Sequence, residues 1–316
     1  MDVVTMGETM VLFTADTHGM MRFSNQFTRT YGGAETNVAI GLARLGHKAA
    51  WISRVGEDEF GKGMLAFIRG EGVDVSQVTL DREAPTGVFF KENRREGDMR
   101  IHYYRTGSAA SRLSAKDVDE SFVAQAKYVH ISGITPALSQ SAYEAVWALV
   151  NVAKKHDIPI VFDPNIRKKL WSEERARKVL LDLAQEATIV LPGIAEGQFL
   201  FNENNPKKIG ERLLELGAHL VVTKAGIDGA YYTNAKEHVH VSGMKVARVV
   251  DPVGAGDGFA AGFLSGLIEG ASVYDAVKRG TIVGAVATMV QGDVEGLPER
   301  EELDRYQDDR HDDVTR

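Results

Sequence analysis

The residues best placed to do chemistry stand near the C-terminal end of this 316-residue chain, in Val249-Val250-Asp251-Pro252-Val253-Gly254-Ala255-Gly256-Asp257-Gly258-Phe259. The β-branched run reads as a strand that breaks at Asp-Pro. Phe259, Ala260, Phe263, Leu264, Leu267 and Ile268 then recur at helical spacing, up to a stop at Gly270. Gly254, Ala255 and Gly256 therefore fall where a helix begins, with unpaired N–H groups and the positive end of the dipole outward. Such a turn attracts anions, phosphate above all. Asp257, in the first turn, is either an acid that caps the helix and complements its dipole or a working carboxylate beside a bound phosphate. The small residues around it let a ligand approach the backbone. Asp251 closes the loop from the strand side, where ligands gather at the carboxyl ends of parallel strands.

Two further loops belong to the same edge. Asp163-Pro164-Asn165-Ile166-Arg167 follows a strand ending at Phe162, and Thr223-Lys224-Ala225-Gly226, with Gly229 beyond, follows the Leu220–Thr223 strand. Either is an ordinary turn in isolation. Three small or polar loops at one edge suggest a nucleotide laid across it. Other phosphate motifs fit less well. GEDEFGKG at 56–63 nearly matches a Walker A loop but lacks its Ser or Thr, and its acids would repel phosphate. Gly254, Gly256 and Gly258 have dinucleotide-fingerprint spacing, yet no βαβ unit follows them. His130 lies in a buried-looking strand and reads as structural.

The elements that must carry these loops alternate. Strands are expected at Val3–Met6 (extended by Met10–Phe13), 50–53, 128–131, 158–162, 188–191, 220–223, 237–241 and 246–250. Helices are expected at 34–45, 61–70, 141–156, 172–186, 206–216, 259–268 and 275–290. That order means an α/β protein with a mostly parallel sheet covered by helices on both faces. Residues 14–31 read as irregular. Residues 86–105, with a charged turn at Glu92 to Asp98, read as a hairpin. One domain over 1–300 with a small β appendage is expected, followed by a charged tail at 301–316.

Composition excludes several classes. Hydrophobic residues make up 44% and charged residues 26%, a globular profile. The net charge of −7, with no basic cluster, argues against nucleic acid. Without cysteine there is no disulfide, thiolate metal site or cysteine nucleophile. Neither a signal peptide nor an apolar run long enough for a membrane span is visible, so a cytoplasmic protein is expected.

With these residues in view, the chain resembles the ribokinase (PfkB) family of carbohydrate kinases over nearly its whole length. The resemblance rests on Gly32-Gly33 with Asn37 and Leu45-Gly46, on Asp251 through Asp257, and on the 163–167 and 223–226 loops. Tyr103-Tyr104-Arg105-Thr106-Gly107-Ser108-Ala109-Ala110-Ser111 and Gly33-Ala34-Glu35 are similar to the 2-keto-3-deoxygluconate kinases within it.

The resemblance implies a ribokinase-like fold with a β lid from residues 9–31 and 86–107, and ATP with Mg2+ as cofactors. It implies ATP-dependent phosphorylation of the 6-hydroxyl of 2-dehydro-3-deoxy-D-gluconate. Asp257 would be the general base, with the amides of Gly254, Ala255 and Gly256 on the γ-phosphoryl group. Gly32, Gly33, Asn37, Phe89, Tyr103, Arg105, Arg167 and Asp251 would hold the sugar acid. Asn165, Thr223, Gly226 and Gly229 would join Gly254 and Gly256 on the nucleotide, and Glu196 would act indirectly on the metal. Lid strands leave exposed edges that proteins usually cover, so a homo-oligomer built through residues 9–31 and 86–107 is expected. The family usually has Asn-x-x-Glu where this chain has Gly193 and Glu196. A carboxylate substrate calls for guanidinium groups, which favours Arg105 and Arg167 as its partners. A fructokinase or another sugar-acid kinase, and a silent sugar-binding regulator, are the alternative readings.

Overall fold

The computed structural model describes residues 1–95 and 98–307. Its strands are β1 (Val3–Met6), β2 (Met10–Ala15), β3 (Phe27–Gly32), β4 (Ala49–Gly56), β5 (Val78–Asp81), β6 (Val88–Arg95), β7 (Asp98–Tyr104), β8 (Tyr128–Ser132), β9 (Ile160–Asp163), β10 (Ile189–Val190), β11 (Leu220–Lys224), β12 (Ala230–Asn234) and β13 (His238–Val241). Its helices are α1 (Ala34–Arg44), α2 (Glu59–Gly70), α3 (Glu120–Val123), α4 (Gln140–Lys155), α5 (Glu173–Glu186), α6 (Ile194–Phe201), α7 (Pro206–Glu215), α8 (Ala255–Ile268), α9 (Val273–Ala287) and α10 (Arg300–Gln307).

The large sheet runs β13-β12-β11-β10-β9-β8-β1-β4-β5, parallel except for the antiparallel β11-β12-β13 edge. In β1, Val3 packs into one core layer while Val4 and Met6 pack into the other. Cover on both faces is why its sequence is a near-continuous apolar run. β1 pairs with β4 on one side and β8 on the other, so the winding reverses there. Crevices at such points receive ligands.

The second sheet, β3-β2-β6-β7, corrects two expectations. Met10–Phe13 does not extend β1, because the chain turns at Gly7-Glu8 into the other sheet. Residues 14–31 are not wholly irregular either, since Phe27–Gly32 pairs antiparallel with β2. Thr28, Arg29 and Thr30 give β3 no apolar pattern; its partner strand supplies the order.

The β-branched residues 246–250 form no strand. Val249 and Val250 are about half exposed, and the Val250 N–H donates to the Thr288 carbonyl beyond α9. Strands β5 and β12 and helices α3 and α6 have no counterpart among the expected elements. The expected charged tail begins as helix α10, which buries Leu303. Residues 308–316, and Glu96 and Gly97 of the charged turn, lie outside the described residues.

Helices α8 and α9 pack along a glycine seam. A Cβ on Gly262 would stand 2.8 Å from the Arg279 carbonyl oxygen and from Val283. Only glycine permits that approach, and it fixes how the start of α8 is presented.

Candidate active site

The carboxyl ends of the central strands, the small sheet and the starts of α1 and α8 enclose a cleft of about 420 Å3. Asp257 lies on its wall in the first turn of α8, half buried. Its Oδ2 accepts a hydrogen bond from the Asn37 side-chain amide at 2.7 Å, so the starts of two helices meet there. Loss of water pushes its carboxyl up to about 7, with Asp163 and Asp293 adding repulsion and Asn37 and Arg167 opposing it. A carboxyl poised near neutrality suits proton acceptance.

Gly254 precedes α8 with φ of 81°, the left-handed region that favours glycine. A Cβ there would also stand 2.4 Å from the Asp293 carbonyl oxygen. Gly254 and Gly256 line the cleft. Ala255, Gly226 and Gly229 line a second, mostly apolar pocket of about 320 Å3, which meets the cleft at Lys224, Pro252 and Gly256.

At the opposite end, Gly32, Gly33, Phe89 and Tyr103 line the cleft, the two rings stacked with centroids 5.7 Å apart. A Cβ on Gly32 would meet Asp293 Oδ2 at 2.3 Å. Arg105 also reaches the cleft, but it is not an unpaired cation. Its Nε donates to Glu8 Oε2 at 2.6 Å, and Ser108 donates to the other Glu8 oxygen. Of the two guanidiniums that line the cleft, Arg167 is the one that makes no salt bridge among the described residues; it stands beside Asn165, whose φ is 37°.

Two expected residues lie elsewhere. Asp251 is buried behind the turn, paired with Lys91 at 2.7 Å, and does not line the cleft. No strand precedes it to aim it inward. Thr223 is fully buried with its hydroxyl unpartnered; the next residue, Lys224, faces the cleft. Strand alternation makes only one of the two available. Lys224 bonds Asp163 Oδ2 at 2.5 Å. Burial opposes its charge, but Asp163 and Glu196 outweigh burial, so its pKa is raised. Glu196 caps α6, accepting from the Gly193 and Ile166 N–H groups. Burial and then Asp163 push its carboxyl up.

Sequence reasoning missed Glu8, Lys224, Asp163 and Asp293 as cleft residues. Asp163 and Lys224 sat inside the loops already marked, so strand-end position was their signal. Asp293 is pushed up to about 6, chiefly by burial. His130, expected to be structural, is buried in β8, and burial holds its imidazole down at about 4.

The doubly wound sheet, with the glycine turn opening α8 and Asp257 beside it, is the ribokinase-like fold of sugar kinases. The chain belongs to the pfkB family of carbohydrate kinases, whose family model matches residues 1–300. It is 41% identical over 305 residues to the 2-dehydro-3-deoxygluconokinase of Bacillus subtilis (strain 168), covering 96% of this chain and 94% of that protein. It is 37% identical to the 2-dehydro-3-deoxygluconokinase of Thermoproteus tenax, over 95% of this chain and 93% of that one. A crystal structure of an E. coli protein in complex with ATP and Mg2+ superposes with a TM-score of 0.90 at 28% identity, covering 98% of this chain and 99% of the other.

Proposed function

We propose that this kinase transfers the γ-phosphoryl group of ATP to the 6-hydroxyl of 2-dehydro-3-deoxy-D-gluconate. The observation that carries the reading is Asp257, held by Asn37 between an anion-binding turn and a cleft that contains an unpaired guanidinium. Identity to two sugar-acid kinases over nearly the whole chain supports the substrate class. Asp257 takes the hydroxyl proton as the new O–P bond forms and the bond to the ADP oxygen breaks. The amides from Gly254 to Gly256 stabilise the charge that spreads over the transferring group. Lys224, between the two pockets, would meet the phosphates, and the apolar pocket would take the base. Phe89 and Tyr103 of the small sheet, acting as a lid over the sugar, exclude water.

Magnesium suits this donor set. Burial and then the neighbouring Asp163 carboxylate push the Glu196 carboxyl up, a cost that a divalent cation would relieve. Among the described residues no group of three or more metal-ligating side chains forms a cage, as fits an ion held mainly by nucleotide phosphates and water. When bound, the ion withdraws charge from phosphate oxygens.

The face of the small sheet away from the cleft carries Phe90, which meets Phe13, Phe27 and the exposed Tyr104. A dimer through this face would cover them. A cytoplasmic enzyme would meet its need for ATP as substrate there; no helix among the described residues is long and apolar enough to cross a membrane.

The test is ADP release with a panel of 2-dehydro-3-deoxygluconate, other aldonic acids and fructose. Turnover of the ketoaldonic acid above the neutral ketose is the expected result. Equal handling of fructose would end the sugar-acid reading and leave the kinase family standing.

A further inference from the structure

Lys91 is among the largest fully buried side chains of the protein, although lysine is rarely buried without a reason. In β6 the two-residue alternation puts Phe89 and Lys91 on one face. Phe89 lines the cleft, while Lys91 passes behind it. Its ammonium stands 2.7 Å from Asp251 Oδ2 and 3.7 Å from Asp293 Oδ1. Asp251 in turn accepts from the Val253 N–H at 3.1 Å through Oδ1, and from the Gly292 N–H at 3.2 Å through Oδ2. The Asp293 carbonyl abuts Gly254 from below. One ammonium therefore joins the small sheet, the segment leading into the glycine turn, and the segment that supports that turn.

Stability is a poor reason for such a cluster. A buried ion pair often does no better than apolar side chains of the same volume, whereas fixing a register or geometry is a known use. The loop also needs an anchor, because residues 242–250 ahead of it form no regular structure.

We propose that Lys91 is a positioning residue, whose ammonium between Asp251 and Asp293 holds the 253–256 turn in its anion-binding geometry and makes that geometry depend on the docked small sheet. This rests on the role given above to the amides of Gly254 to Gly256. Lys91 acts through the turn and touches no reactant.

Two single variants separate position from bulk. Lys91→Ala leaves a void lined by carboxylates, and Lys91→Met fills it without charge. Small misplacements of reacting groups cost about 10²-fold, so kcat should fall by about that factor in both, with KM for ATP within about fivefold of wild type. Methylammonium should restore Lys91→Ala by about tenfold or more relative to sodium at equal ionic strength, and should leave Lys91→Met unrestored. Wild-type kcat in either variant, or a Lys91→Ala loss that methylammonium does not relieve, overturns the proposal. If Lys91→Ala does not fold, the double variant Lys91→Met with Asp251→Asn removes both charges and carries the test; lowered kcat supports the proposal and wild-type kcat sinks it. Wild-type enzyme that phosphorylates no sugar acid in the panel would instead refute the function reading, so the two failures are distinct.

Discussion

Asp257, the proposed base, should set the pH behaviour. With its pKa pushed up to about 7, it is increasingly protonated below neutrality and then cannot accept a proton. We expect kcat/KM to fall about tenfold per pH unit on the acid side of a midpoint near 7. A profile flat down to pH 5 would remove Asp257 from the role. Asp257→Asn should keep the fold and lose about 10²–10⁴-fold in turnover, read from thermal melts beside ADP release.

The two arginines separate the same way. Arg105 already has Glu8 as its partner, so Arg105→Ala would strand a buried carboxylate and harm every substrate alike. Arg167→Ala is the cleaner probe. It should cost the sugar acid about ten- to a hundredfold more than fructose, the worth of one charge-assisted hydrogen bond. Equal losses on both substrates would clear Arg167 of carboxylate recognition.

Among the elements, α8 and α9 show how packing fixes chemistry. Gly262→Val would force a branched side chain against Arg279 and Val283 and should destabilise the fold by about 1–3 kcal/mol. Urea unfolding measures this, and an unchanged midpoint would mean that the seam opens freely. The same scale shows what the sequence could reveal. Apart from α6, the alternating strands and helices from 128 to 224 were legible because their periodicity is local. Residues 246–250 misled because a β-branched run has no strand to be without a partner. Phe27–Gly32 hid for the opposite reason, a partner without a pattern. At the cleft, Asp257 and the glycine turn could be read from spacing, and Asn37 came only with the family resemblance. The Glu8–Arg105 pair, Asp293 and the inward Lys91 could not, because each depends on a contact between segments far apart in the chain.

On the scale of the whole molecule, His130 links stability to acidity. Burial lowers its pKa from the ordinary 6.5 to about 4, so the unfolded chain takes up a proton more readily over that range. Its contribution is therefore complete above pH 6.5, declines as the pH falls, and has been lost by about pH 4, on the order of 3 kcal/mol. Asp257 and Asp293 act in the opposite sense, since their raised pKa values make ionisation costly as the pH rises. The difference in unfolding free energy between wild type and His130→Leu isolates the imidazole. It should shift in favour of the variant between pH 6.5 and 4 and then level off. A difference that does not vary with pH would mean that His130 is hydrated.

The bond between Asn37 and Asp257 spans 220 residues of chain. On a ribosome adding about 5–20 residues per second, the first helix would wait roughly 10–45 seconds before its catalytic partner is made. Throughout that interval its buried face has no α8 to cover it. A nascent chain stalled before residue 257 would hold every strand of the large sheet and yet lack the proposed catalytic base, so this enzyme would come into being only with its last fifth, and a chaperone that shields α1 until then should raise the yield of active protein.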